Sequence, residues 1–279
     1  MDYYELLKNL SESKIDLVVT DPPYNKKKDF SNDNLPTDKF VEFTDKWISA
    51  VSEKLKPTGS LYCFVNLECL WMFKSILDRY LVFQNLLVWH FDSMLRKNAT
   101  NYENRCEFVF FYTKSDEFTW NHQREPPSDM TLRSWLNRAD KDGYIMYDDL
   151  CESDKARFKR ENYDKSPRNV LRGPPVGNVL RFARVSSRSK ERMGHPTQKP
   201  ESIVEIFVKA SSNEGDLVLD PFVGSGTTMI VAKRFRRRFV GSEIDGSFYE
   251  MARYRLDEEV VSVRMDEFFT TIDKFASDD

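Results

Sequence analysis

The 279-residue chain is poor in the residues from which metal centres and disulfide frameworks are built. Its four cysteines, Cys63, Cys69, Cys106 and Cys151, form no C-x-x-C pair, and its three histidines, His90, His122 and His195, are scattered. This spacing argues against a zinc site or a secreted disulfide scaffold and predicts no bound metal. Cys63 and Cys106 fall in strand-like runs and are expected to be buried as small apolar residues. No apolar stretch approaches the about 20 residues needed to span a bilayer. The start, Met1-Asp2-Tyr3-Tyr4-Glu5, lacks the basic opening and apolar core of a signal peptide. The expectation is a soluble, intracellular protein with no membrane partner. Repeats are absent, and the net charge of −3 is too small for a protein that coats nucleic acid indiscriminately.

What is present is an ample core and a polarised charge. Hydrophobic residues make up 40% of the chain and aromatics 14%, which excludes global disorder. Nine Lys and Arg lie between Lys165 and Lys199 against one acid, Glu191, while acids gather in the tail from Asp257 to Asp279. Three units follow from the patterning. Residues 1–114 alternate strand and helix signals: Ile15–Thr20 a strand, Thr37–Leu55 a helix with Phe40, Phe43, Trp47, Val51 and Leu55 on one face, Gly59–Asn66 a strand, Leu67–Tyr80 a helix, then strands at Leu86–Phe91 and Glu107–Thr113. Residues 115–192 lose that rhythm and read as a basic, loop-rich insertion with turns at Pro126-Pro127 and Gly173-Pro174-Pro175. Residues 193–279 resume it, with a helix from Pro200 through Ser211, a strand at Asp216–Asp220, a helix at Thr227–Phe235, a strand at Phe239–Ile244 and a helix from Ser247. The alternation predicts an α/β protein with a doubly wound, mostly parallel sheet.

Two segments carry chemistry at strand ends, where open α/β sheets bind ligands. Asp21-Pro22-Pro23-Tyr24 follows the first strand and combines a carboxylate, a rigid backbone and an aromatic face. Two successive prolines fix where the carbonyls and flanking side chains point. Taken alone, the tetrapeptide fits a stiff turn as well as a grip on a planar substrate. Asp220-Pro221-Phe222-Val223-Gly224-Ser225-Gly226-Thr227 is a strand end, a glycine turn and a helix start. Its spacing is neither G-x-G-x-x-G nor a P-loop, so phosphate is not the first ligand to consider. Glu243, at the tip of the next strand, stands where an acid commonly receives ribose hydroxyls. A nucleoside ligand without a phosphate requirement fits S-adenosylmethionine.

Asp21–Tyr24, His195-Pro196-Thr197-Gln198-Lys199-Pro200 and the glycine turn, in this order, resemble the amino-directed DNA methyltransferases of the β group. The resemblance spans Asp2 to about Leu256 and is weakest in the insertion. It implies a Rossmann-like methyltransferase fold with a target-recognition insertion, S-adenosylmethionine as cofactor, double-stranded DNA as substrate and a prokaryotic cytoplasmic, nucleoid-associated setting. It further implies that Asp220, Pro221, Phe222, Gly224, Ser225, Gly226 and Thr227 wrap the cofactor, that Glu243 binds its ribose, and that Thr197, Gln198 and Lys199 close over its methionine end. Asp2 matches the family's acid near the cofactor adenine, with Met1 in place of the family's glycine. The family includes dimers and enzymes of restriction-modification systems, so a second copy of this chain and a cognate endonuclease are the protein partners to consider.

An exocyclic amine on a nucleobase is a poor nucleophile, because its lone pair is delocalised into the ring. Hydrogen bonds from its N–H groups to the Asp21 carboxylate and the Pro22 carbonyl would draw the nitrogen toward sp³, with Pro23 holding the turn and Tyr24 stacking on a flipped base. In the family, Asp in the first position goes more often with adenine N6 and Ser with cytosine N4, so Asp21 favours adenine. Candidate DNA contacts are Lys26, Lys27 and Lys28 beside the tetrapeptide and Arg181, Arg184, Arg188 and Lys190 in the basic segment. Lys233–Arg238 reads as an exposed helix end. The runner-up is cytosine-N4 methylation; the alternative of another class is a DNA-binding protein without catalysis.

Overall fold

The computed structural model describes residues 2–26, 34–91, 102, 104–123, 144–145, 168–169, 176–186 and 189–258. The chain divides into two compact units, one of residues 1–121 and 178–279, the other of residues 122–177. The second unit is therefore shorter than the 115–192 span that composition marks out. Its described part holds two short strands, β5 (Tyr144–Ile145) and β6 (Arg168–Asn169), paired antiparallel.

The first unit is built on α1 (Tyr3–Asn9), β1 (Ile15–Thr20), α2 (Thr37–Lys54), β2 (Leu55–Val65), α3 (Leu70–Leu77), β3 (Val82–His90), β4 (Cys106–Thr113), β7 (Val179–Arg181), α4 (Glu201–Ser211), β8 (Leu217–Asp220), α5 (Thr227–Arg234) and β9 (Arg238–Gly241). A last helix, α6, covers residues 246–258. The sheet order is β7-β3-β4-β2-β1-β8-β9. β1 pairs parallel with β2 and β8, β8 with β9, and β3 with β7. Among these described strands only β4 is reversed, antiparallel to both β2 and β3. The expected sheet is thus mostly parallel but mixed, and the reversal carries the first residues of β4 to the edge where β1 and β2 end.

β1 forms because Ile15, Val18, Val19 and Thr20 are β-branched, and it is buried on both faces because it lies mid-sheet. Asp16 fixes its neighbours: one carboxylate oxygen takes Lys56 Nζ of β2 at 2.6 Å and the other the Leu217 N–H of β8 at 2.9 Å. Phe40, Trp47 and Val51 bury one stripe of α2, joined by Thr44 and Ile48. This stripe packs with α3 against Val18, Leu61, Cys63, Val65, Phe110 and Tyr112 on one sheet face. The helix ends at Lys54 and β2 begins at Leu55 without a separate turn. Pro57 is accommodated by a shift of register between Ile15 and Leu17 on the neighbouring strand. On the other face Tyr62 stacks on Phe207 of α4 at 4.3 Å and on Phe111 at 4.6 Å, and its hydroxyl bonds Ser211 Oγ at 2.8 Å. Such a pair adds about 0.5–1.5 kcal/mol beyond its buried area.

Three features escape the sequence patterning. α1 is one short helix, capped by the Asp2 side chain accepting from the Tyr4 N–H at 3.3 Å. β7 adds three residues of the basic segment to the sheet edge beyond β3. In the Lys233–Arg238 run, Arg237 is a staple rather than a free charge: its guanidinium donates to Ser212 Oγ at 3.0 Å, to the Ser212 carbonyl at 2.6 Å and to the Phe235 carbonyl at 2.7 Å. Cys63 is buried as expected, whereas Cys106, at the start of its strand, is partly exposed. No described helix is long and apolar enough to cross a membrane.

Candidate active site

β1 and β8 are neighbours mid-sheet, and the chain leaves β1 through α2 toward β2 and leaves β8 through α5 toward β9, on opposite sides. Ligands of doubly wound sheets bind outside the strand ends at such a reversal. A cavity of about 610 Å³ opens there. It is lined by the tetrapeptide after β1, the glycine turn after β8, the segment after β9 and the residues before α4.

On the β1 side, Asp21, Pro22, Pro23, Tyr24 and Lys26 reach the cavity. The Tyr24 hydroxyl donates to Asp21 Oδ1, and Lys199 Nζ lies 2.8 Å from Asp21 Oδ2. Lys199, only 8% exposed, also lies 3.2 Å from Glu107 Oε2 on β4. Burial works against the Lys199 charge, but the two carboxylates outweigh it and hold the ammonium protonated. Burial pushes the Asp21 carboxyl above its ordinary value, with Lys199 and the Tyr24 hydroxyl pulling part of the way back. Burial likewise raises the Tyr24 hydroxyl, and the Asp21 carboxylate adds to that.

On the β8 side, Gly224 has φ +51° and Gly226 φ +79°, left-handed conformations that a side chain strains. A Cβ on Gly226 would stand 3.0 Å from Ala252 Cβ of α6, and one on Gly224 would stand 3.2 Å from His195 Nε2. The turn is held at both ends. The Gly224 N–H donates to Glu243 Oε2 at 2.8 Å, and the other Glu243 oxygen accepts the Asp245 N–H at 2.9 Å. Arg255 of α6 donates to the Ser225 carbonyl at 3.0 Å and Thr227 Oγ1 at 3.1 Å and pairs with Glu201. Asp220 accepts from Thr20 Oγ1 at 2.9 Å and from the Phe222 N–H at 3.1 Å. Burial raises its carboxyl to about 7, against the opposing pull of those bonds.

The sequence-selected residues Asp21, Pro22, Pro23, Tyr24, Lys26, Thr197, Gln198, Lys199, Asp220, Phe222, Gly224, Ser225, Thr227 and Glu243 thus line one cavity. Asp2, Pro221 and Gly226 are not among its lining residues. Asp2 caps α1, the Pro221 carbonyl accepts from Ser242 Oγ at 2.7 Å, and Gly226 backs onto α6. Gln198 spans its own loop, accepting the Met193 N–H and donating to the Glu191 carbonyl. Arg181, Arg184 and Lys190 are exposed, and Arg184 bonds Glu107 at 3.4 Å. Lys27, Lys28 and Arg188 lie outside the described residues. Sequence reasoning misses Thr20, Phe64, His195 and Phe248 as cavity walls, and Glu107 and Arg255 behind them. His195 and Arg255 carry readable signals, the first as part of a quoted motif and the second as a lone cation among the buried positions of a helix.

Residues 15–253 match the DNA methylase family. The chain belongs to that family. It is 36% identical to the type II methyltransferase M.HpaI of Haemophilus parainfluenzae over 258 residues, covering 91% of this chain and 71% of that one. It is 30% identical to the type II methyltransferase M1.MboII of Moraxella bovis, covering 92% and 95%, and 30% identical to the DNA adenine methyltransferase YhdJ of Escherichia coli, covering 90% and 79%. Among solved structures, the PvuII cytosine-N4-specific DNA methyltransferase superposes with a TM-score of 0.63 at 18% identity over 91% of this chain and 84% of that one. The M1.HpyAVI–SAM complex gives 0.59 at 22% over 92% and 96%. This methyltransferase therefore carries a Rossmann-like fold.

Proposed function

We propose that this chain transfers a methyl group from S-adenosylmethionine to the exocyclic N6 of adenine in duplex DNA. The observation that carries the reading is that Asp21–Tyr24 and the glycine turn face each other across one cavity. The cavity suits the cofactor in volume and in donors. The positive-φ glycine turn lets a nucleoside approach the backbone, and the Glu243 carboxylate, fixed by two N–H groups, has the acceptor capacity to take ribose hydroxyls as well. M1.HpyAVI, of the same fold, has been solved with SAM. Asp220, Phe222, Gly224, Ser225 and Thr227 would hold the cofactor, with Thr197 and Gln198 at its methionine end and Pro221 and Gly226 shaping the turn. When bound, it supplies an electrophilic methyl group on a sulfonium.

The chain's own residues prepare the nucleophile. Asp21 and the Pro22 carbonyl accept the two N–H bonds of the target amine, and the Tyr24 ring stacks on the flipped base. Positioning in line with the methyl supplies most of the rate. Alkylation leaves the nitrogen cationic, and its proton passes to Asp21, whose buried carboxyl is raised and so more ready to take it. Adenine is favoured because the leading residue is Asp, and YhdJ, a DNA adenine methyltransferase by name, is a 30% relative. Cytosine N4 is the runner-up. Exposed Arg181 and Lys190 supply cations for the DNA backbone, and Lys26 lies at the cavity mouth beside the tetrapeptide.

Asp21→Ala tests the reading. It is expected to abolish label transfer from S-adenosylmethionine to DNA, a loss of about a thousandfold or more, while cofactor affinity stays within about threefold. Retained transfer overturns the assignment.

A further inference from the structure

Glu107 does not line the cavity, yet its carboxylate is the second anion on the buried Lys199. We propose that Glu107 is a positioning residue: it takes over the charge of Lys199 so that Asp21 can turn to the substrate amine. This inference rests on the methyl-transfer reading above and concerns how the same site opens for its substrate.

Asp21 has both oxygens engaged, Oδ1 by the Tyr24 hydroxyl and Oδ2 by Lys199 at 2.8 Å. Each oxygen keeps a second lone pair, as at Glu243, but the amine is gripped more strongly by an oxygen whose charge Lys199 no longer neutralises. Releasing Lys199 would be costly if Asp21 were its only counter-charge, because a buried ammonium without a partner is strongly disfavoured. Glu107, 3.2 Å from the same ammonium, removes that obstacle. Lys199 has three N–H donors, so it can tighten on Glu107 while it leaves Asp21. Glu107 is itself held in place. Its other oxygen is 3.4 Å from the Arg184 guanidinium, which lies 3.7 Å over the Phe91 ring. The reversed strand β4 is what delivers this acid to the site, opposite the end of β2.

The test is steady-state methylation of unmethylated genomic DNA by the full chain, with labelled S-adenosylmethionine. Glu107→Gln keeps the shape and removes the charge, leaving Lys199 clamped on Asp21. It is expected to lower kcat about tenfold or more, with cofactor affinity and the KM for DNA within about threefold of wild type. Glu107→Asp keeps the charge on a shorter arm and is expected to fall between the two. In a Lys199→Gln background, Glu107→Gln is expected to be neutral or to raise kcat, since it then removes one of two facing buried carboxylates. A merely structural residue would not reverse its effect in this way. A Glu107→Gln kcat within about twofold of wild type overturns the inference, because Asp21 would then be freed by the Tyr24 hydroxyl instead. An equal loss with and without Lys199 also overturns it. Should the Gln variant fail to bind cofactor, Glu107→Asp decides: a kcat lowered more than about tenfold contradicts the inference, because the retained charge should still draw Lys199 off Asp21. Wild-type protein that transfers no label to DNA removes the underlying reading, whereas active wild type with an unaffected Gln variant removes only this inference.

Discussion

Thr20 and Asp220, 200 positions apart in the chain, are joined by a buried hydrogen bond of 2.9 Å across β1 and β8. It ties the strand that leads into the tetrapeptide to the strand that leads into the glycine turn, at the last residue of each strand. The two halves of the site are therefore set in register by the core rather than by their loops.

Asp220 gives that core a pH signature. Its folded-state value of about 7 lies above the unfolded value of about 3.9. Between those values the folded chain holds a proton that the unfolded chain has lost, so this group's contribution to stability falls as pH rises from about 4 to about 7 and is flat above. Asp220→Asn keeps an acceptor for Thr20 and the Phe222 N–H but does not titrate. Urea midpoints across pH 5 to 8 are expected to decline less steeply with pH in the variant than in wild type. Parallel curves contradict the assignment.

Gly226 is the turn position least able to carry a side chain, with φ +79° and Ala252 Cβ 3.0 Å from where a methyl would stand. Gly226→Ala is expected to cost about 1–3 kcal/mol and to weaken S-adenosylmethionine binding, since α6 must shift away from the turn. Gly177, with open space around it, serves as the control and is expected to tolerate Ala. Isothermal titration and thermal unfolding of both variants check this.

Much of this layout is legible in the sequence. β1, α2 and the β8–turn–α5 unit follow from β-branched runs, a helical stripe and a pair of glycines, and the motif residues fall together as their strand-end positions imply. What is not legible has physical causes. Glu107 stands at the beginning of a strand, and in an all-parallel sheet that end lies far from the site. Only the reversal of β4, a property of its long-range pairing, brings it beside Lys199. The family resemblance implies that Lys199 closes over the cofactor's methionine end, and in the structure its ammonium also reaches Asp21, a partner no local pattern reveals. The α1 helix escapes reading because its seven residues carry too little periodicity, so the role of Asp2 as its cap is hidden as well.

Arg255 is the brace beneath the glycine turn, only 7% exposed, bonding the Ser225 carbonyl and Thr227 Oγ1 and pairing with Glu201. Arg255→Met keeps most of the volume and removes those bonds. Glu201 retains Arg234 at 2.8 Å, so the expected cost is about 2 kcal/mol rather than that of a fully stranded charge. Because the lost bonds hold the turn, cofactor affinity is expected to fall about tenfold in protein that is still folded. Unchanged affinity in a destabilised protein would assign Arg255 to α6 packing alone.

The methylated nucleoside identifies the reaction most directly. The protein is incubated with labelled S-adenosylmethionine and unmethylated duplex DNA, the DNA is digested to nucleosides, and the labelled nucleoside is identified by chromatography against standards. N6-methyladenine is the expected product, absent in the Asp21→Ala variant. Label in N4-methylcytosine, or none in DNA, contradicts it.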